Sequence, residues 1–351
     1  MRLATVIELD VNDEPRPVFE LPGGQRVPLR ELFRTGSQAE LDRMPIYFSD
    51  LTAAVQHLDD VLDAARDWAR SRAELSGEAR SIPPRRLRFL PPVPRPASFR
   101  DYDAFEAHAK AMRTRLAQPL PAAWYDQPAF YFANAGSLVG HDTPVFGPVA
   151  STQLDFELEL GVIISRGGRD IAAEYAMDHI AGFTIINHFV ARDVQAAEMA
   201  VGMGPGGKGT DFATAVGPFL VTPDHVRDRI DDAGRVRLAM SARLNGREIF
   251  RGNSAAMHYT WPRIIEHASR DAELFPGDLI ASGPVGSILD IGPEAAGGWL
   301  KTGDVVELEI ERLGILRTPI VDRPPPRPTG PAPPPNPTPA CATLPAPAGP
   351  S

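Results

Sequence analysis

Asp155, Glu157 and Glu159 stand at alternate positions of the run Asp155-Phe156-Glu157-Leu158-Glu159-Leu160-Gly161-Val162-Ile163-Ile164. On a strand, residues two apart share a face. Three carboxylates therefore line one side, and Phe156, Leu158 and Leu160 fill the other. Like charges so placed repel one another unless water solvates them or a cation bridges them, and hard divalent cations take oxygen ligands of this kind. The plainer reading of the same alternation is a strand with one solvated face.

A second string, Ile186-Asn187-His188-Phe189-Val190-Ala191-Arg192-Asp193-Val194-Gln195, passes from an apolar strand into polar residues. If a helix begins at Arg192, Arg192 and Gln195 share a face at i, i+3. A guanidinium can grip a carboxylate through two bonds, and an amide can donate to a carbonyl. The plainer reading is a helix start with a surface arginine, and His188 alone reads as a core or edge histidine. In Gly202-Met203-Gly204-Pro205-Gly206-Gly207-Lys208-Gly209-Thr210-Asp211, Gly202, Gly207 and Lys208 have the spacing of a phosphate-binding loop. Gly209, however, stands where Ser or Thr would hold magnesium, and the preceding Asp193–Ala200 reads as helix where that motif needs a strand. A flexible loop presenting Lys208 remains. Ser98 to His108 puts a histidine on a helix, and Gly277 to Asp290 runs from a strand through a glycine-rich turn to a carboxylate. Each of these alone reads equally well as a surface helix and a simple turn.

These groups need elements to hold them. Arg2–Leu9 and Val18–Leu21 read as paired strands, with turn residues Asn12, Asp13 and Pro15 between. Val55, Leu58, Val61, Leu62, Ala65, Trp68 and Ala69 recur at helical spacing, which predicts a helix over 51–75. Further helices are predicted over 103–116, 172–180 and 192–200. Strands are predicted at 130–133, 154–164, 181–190, 216–221, 236–244, 279–281, 305–310 and 315–321, the last an edge strand because Pro319 cannot donate to a ladder. Strands outnumber helices and are mostly short. This predicts an α+β, mostly β architecture rather than a doubly wound sheet. The divisions expected are a small N-terminal domain over 1–82, a proline-rich connector over 83–96, a catalytic domain over 97–322 and a tail over 323–351. In that tail nearly every second residue is proline, so it is expected to be disordered or polyproline-like.

With 351 residues and 43% apolar composition the chain can bury a sizeable core, while a net charge of −9 without a basic stripe argues against a nucleic-acid partner. Cys341 is the single cysteine, which excludes an intrachain disulfide and a cysteine-based metal site. Neither a signal-peptide pattern at Met1–Asp10 nor an apolar run of membrane-spanning length is present, so a cytoplasmic protein without a membrane partner is expected.

Taken in order, Asp155–Leu160, Asn187–Gln195, Lys208 to Gly217-Pro218 and Gly277–Asp290 resemble the fumarylacetoacetate hydrolase family. Phe105-Glu106-Ala107-His108, Trp124-Tyr125 and Phe130-Tyr131-Phe132 are similar to one of its bacterial branches. The resemblance covers roughly residues 85 to 322. It implies the family's mixed β-roll, with a small N-terminal domain before it. It implies one divalent cation (Mg, Mn or Ca) on Glu157 and Glu159, with His188 where the family has an aspartate. Arg192, Gln195 and Lys208 then match groups that hold substrate and stabilise oxyanion charge, and Tyr131 a substrate-contacting tyrosine. His108 matches the histidine that activates water, with Asp290 in place of an orienting glutamate. Ser282-Gly283-Pro284 departs from the family's Ser-Gly-Thr turn, and so lacks a hydroxyl and a backbone donor.

The reaction expected from this resemblance is hydrolytic cleavage of a carbon–carbon bond in a β-diketo or acylpyruvate-type acid, in the breakdown of aromatic compounds, by a homodimer. Decarboxylation, isomerisation or hydration of a related oxo acid would use the same site. A catalytically degenerate binding protein is the reading from another class. With an imidazole in the ligand set, the cation is expected to be a transition metal rather than magnesium.

Overall fold

The computed structural model describes residues 1–9, 14–21, 23–29, 31, 51–74 and 87–325. The strands are β1 (Arg2–Glu8), β2 (Arg16–Glu20), β3 (Arg26–Pro28), β4 (Leu87–Phe89), β5 (Phe99–Tyr102), β6 (Phe130–Phe132) and β7 (Leu138–Val139). Next come the long β8 (Leu154–Ile164), β9 (Ile180–Ala191) and β10 (Thr214–Val221). The last are β11 (Ala239–Leu244), β12 (Arg247–Asn253), β13 (Leu279–Ser287), β14 (Val305–Ile310) and β15 (Gly314–Pro319). Eleven form one sheet in the order β3-β2-β1-β10-β9-β8-β13-β5-β6, with β4 beside β1 and β7 beside β10; β12-β11-β14-β15 form a second. β15 is an edge strand with Pro319 as its last residue.

The alternation in β8 puts Phe156, Leu158 and Leu160 into the main core, where they meet Phe183 and Phe189 of β9, Trp261, and the inner faces of β11 and β14. A second core lies on the other face of the main sheet and gathers Leu3, Phe19, Leu51, Val55, Phe99 and Ile186. Because β8 is sandwiched between neighbours, all eleven of its residues are buried, those of the carboxylate face included. The solvated-face reading of that alternation is thus excluded.

β1 pairs antiparallel with β10 (Arg2↔Val221) and with β4 (Val6↔Phe89), so the described part of 1–82 extends the main sheet, and Met1–Val321 is one compact unit. Helical spacing over 51–75 resolves into α1 (Leu51–Gln56) and α2 (Leu58–Glu74). The helix predicted over 103–116 is α3 (Glu106–Arg115), and that over 192–200 is α4 (Arg192–Ala200). α5 (Trp261–Ser269) went unrecognised in the sequence, although Pro262 opens it and Trp261, Ile264, Ile265 and Ala268 form its buried face. The hairpin β11–β12 was also missed, despite Asn245-Gly246 at its turn, with φ of 53° and 77°. Segment 326–351, where the proline-rich tail was expected, lies outside the described residues. Among the described residues no helix is long and apolar enough to cross a membrane.

Candidate metal centre and active site

Strand order brings the site's carboxylates on β5 and β8, Tyr131 and His188 together. β9, β8, β13, β5 and β6 are consecutive neighbours, and each carries one or more of its residues. His188 of β9 lies directly across from Glu157 of β8, Pro284 of β13 across from Glu159, and Asp101 of β5 across from Tyr131 of β6. The β8–β13 register shifts on both sides of Pro284. Gly283, at φ +77°, permits the close passage of β13 over β5, since a Cβ there would lie 2.1 Å from the Tyr102 carbonyl oxygen.

On this curled surface one ligand atom from each of Asp101, Glu159 and His188 comes within 4.8 Å of the others, and all three side chains are buried. His188 Nε2 sits 3.2 Å from the Thr210 carbonyl, which can only accept, so Nε2 carries the proton. Nδ1 faces an Asp101 carboxylate oxygen 2.7 Å away. Two lone pairs at that distance repel unless a cation or a proton lies between them. Burial would lower the His188 pKa, but the facing Asp101 outweighs it and the net shift is upward. Burial first, and then the charges of Asp101 and Glu157, push the Glu159 carboxyl well above its usual range. Glu159 accepts a bond of 3.0 Å from the Gly283 N–H, while its Oε1, like Asp101 Oδ1, is buried without a partner. Two hard oxygens, one imidazole nitrogen and a backbone carbonyl fixing that ring's tautomer are the donors a divalent cation needs. The residues present fit such an ion.

Beside this trio runs a chain of satisfied charges. Arg192 donates from Nε to Asp155 (2.8 Å), from Nη2 to Glu157 (2.7 Å) and from Nη1 to the Gln195 amide oxygen (3.2 Å). Asp155 also accepts the backbone N–H groups of Phe156, Ile288 and Leu289. Glu157 reaches on to His108 Nε2 at 3.5 Å, and His108 Nδ1 contacts both Asp290 oxygens at 3.0 Å. Burial alone would lower the His108 pKa; Asp290 and then Glu157 overcome that and raise it to about 9. Ser287 donates to Asp290 at 2.7 Å and so fixes the orienting carboxylate.

The structure places the expected site residues as follows. Glu159 and His188 share the candidate cation site, but the third member of the trio is Asp101, whose place in Arg100-Asp101-Tyr102-Asp103 gave no periodic signal. Glu157 accepts from Arg192 and contacts His108. Tyr131 donates to Asp101 at 2.7 Å and thus steadies the cation site. Gln195 gives one amide hydrogen to the Pro205 carbonyl at 3.2 Å. Lys208 was expected at the substrate. It instead points into solvent with its side chain 77% exposed, paired with Asp211 at 2.7 Å. The glycine loop curls around Glu198, whose carboxylate accepts the Lys208 and Gly209 N–H groups. The loop's N–H groups of Lys208 and Gly209 are thus taken by the chain's own anion.

A cavity of about 470 Å³ opens onto this arrangement, lined on its polar side by Asp101, His108, Tyr131, Glu157, Arg192 and Gln195. Residues 97–321 match the family model described as fumarylacetoacetate (FAA) hydrolase C-terminal. The chain belongs to this family. Among curated relatives, the 2,4-didehydro-3-deoxy-L-rhamnonate hydrolase of Sphingomonas sp. (strain SKA58) is 35% identical over 57% of this chain and 65% of its own. The human mitochondrial oxaloacetate tautomerase FAHD2A is 32% identical over 72% and 75%. Among solved structures, a maleylpyruvate hydrolase from Sphingobium sp. SYK-6, in complex with manganese(II) and pyruvate, shares the fold at TM-score 0.63. Its identity is 20%, over 92% of this chain and 99% of that one. The family is one of enzymes: hydrolases, isomerases and tautomerases acting on small acids.

Proposed function

We propose that this protein is a divalent-cation-dependent enzyme that hydrolyses a carbon–carbon bond in a β-diketo acid of acylpyruvate type. The observation that carries the reading is the convergence of Asp101, Glu159 and His188, each with one buried ligand atom lacking a hydrogen-bond partner, with Asp101 lining the same cavity as His108. Those three side chains would hold a divalent cation, which would supply polarisation of the oxo acid's carbonyl oxygens.

The rest is done by the chain's own residues. His108, aligned through Nδ1 by Asp290, takes a proton from water at Nε2. The hydroxide adds to the carbonyl remote from the oxo-acid head. The bond from that carbon to the methylene breaks, its electrons pass to the head as an enolate, and the proton on His108 returns to the methylene carbon. One water is consumed and two acids leave. His108 acts as a base only when neutral. Asp290 and Glu157 hold its proton, so lowering the negative charge around Glu157 readies it. Gln195, with one amide hydrogen uncommitted, can donate to the developing enolate. Arg192 is spent on Asp155 and Glu157 and serves as a positioning residue that fixes Glu157 against His108.

A second reading, interconversion of enol and oxo forms without cleavage, is favoured by the protonated His108, a ready proton donor, and by the similarity to the human tautomerase. Incubating the Mn²⁺-supplemented protein with acetylpyruvate separates the two. Stoichiometric release of pyruvate and acetate supports hydrolysis. Loss of the enol absorbance without pyruvate release would leave only the tautomerase reading.

A further inference from the structure

The cavity is chemically two-sided. Besides the polar set described above and Asp103, Arg113 and Gln127, its wall is mostly apolar, with Met112, Leu120, Trp124, Phe130, Met199 and Pro205 in it. That wall is held in place. The Trp124 indole N–H donates to Asp103 at 3.1 Å, and Phe130 stacks obliquely on Tyr102 with ring centroids 5.1 Å apart. Met112 lies one helical turn beyond His108 on α3, and its sulfur receives the third nitrogen of Arg192.

Of the cations lining the cavity, Arg192 and His108 are matched by carboxylates, and Arg113 makes an exposed bond to a neutral amide. Arg192 serves two carboxylates, and His108 is shared by Asp290 and Glu157. Arg113 stands at the exposed mouth and donates to Gln118 at 3.0 Å. On the wall itself the charged residue is Asp103, one of whose oxygens is buried without a partner. A carboxylate carried on the far end of a substrate would enter an apolar wall, meet Asp103 and find no inner cation to pair with.

We infer that the substrate's arm beyond the oxo-acid head is uncharged and apolar, so that the site selects monoacids with an alkyl or aryl acyl group over diacids. This rests on the oxo-acid reading above, and the test separates the two. Binding to the Mn²⁺-loaded protein is measured by calorimetry for oxamate, N-butyloxamate and N-(3-carboxypropyl)oxamate; the last two are equal in length and differ in the terminal charge. The butyl probe is expected to bind at least about tenfold more tightly than either other probe, from burial of its tail and exclusion of the second charge. If oxamate itself fails to bind, the oxo-acid reading falls and this inference falls with it. If oxamate binds but the carboxypropyl probe equals or exceeds the butyl probe, the inference is overturned while the oxo-acid reading stands. Loss of that carboxypropyl affinity in Arg113→Gln would then assign the arm to Arg113 at the mouth.

Discussion

Asp155 and Glu159 lie four residues apart on the same face of the same strand, and both are wholly buried. Around Asp155 the fold supplies three backbone N–H groups and the Arg192 guanidinium. Around Glu159 it supplies one N–H, a second carboxylate, and an imidazole nitrogen. One carboxylate is part of the scaffold, since its charge is answered inside the chain, although burial still raises its pKa. The other is kept short of partners, an arrangement costly enough in the protein alone that it favours whichever cation fills it. A buried charge with its partners in place marks structure, and one without them marks a ligand site.

The largest effect expected from this contrast is on the scaffold side. Arg192→Met strands Asp155 and Glu157 as uncompensated buried charges and should cost about 3–5 kcal/mol of stability, read from urea unfolding. A loss below about 1 kcal/mol would erase the distinction. On the ligand side, Glu159→Gln should leave the cation-free protein at least as stable as wild type, because it removes a repelled charge. It should also weaken Mn²⁺ binding by about a hundredfold or more in a calorimetric titration. Unchanged Mn²⁺ affinity would place the cation elsewhere.

The His108–Asp290 pair joins the two sides. His108→Gln should lower kcat by about a hundredfold, the order expected for loss of a general base. Its pKa is raised from 6.5 to about 9 in the folded protein, so its protonated pair with Asp290 contributes stability fully below about pH 6.5, and that contribution is lost as pH rises through about 9. In the cation-free protein the wild-type advantage over His108→Gln should therefore shrink between pH 7 and 9.5. An advantage that grows instead would show that the ring is neutral in the folded state. The smallest effect concerns metal choice. Imidazole suits manganese, iron and zinc better than magnesium, so His188→Asp should move the Mg²⁺-to-Mn²⁺ affinity ratio about tenfold toward magnesium. A ratio that stays put would take His188 out of the ligand set.

Much of the framework was legible along the chain. β8, β9 and α4 could be drawn from periodicity alone, because long buried strands and an amphipathic first turn leave strong local signals. The polar β12 left no such pattern. Its hairpin was written in Asn245-Gly246, a turn signal that apolar periodicity does not register. The residues His108, Asp290, Glu159 and His188 were recognised by type and order, but the role of each depended on its neighbours.

By itself the sequence determined the family, the mixed and mostly β architecture, and the set of groups able to do acid–base and metal chemistry. These follow from residue type and from periods of two and 3.6, which act over a few positions. Only the tertiary structure decided that Asp101 joins Glu159 and His188, that Glu157 turns to Arg192 and His108, and that Lys208 faces away. Those pairings span from 29 residues of chain (Glu159 to His188) to 87 (Asp101 to His188). They are set by the curl of the sheet at Gly283 and by the order in which β9, β8, β13 and β5 lie side by side, and no local pattern encodes either.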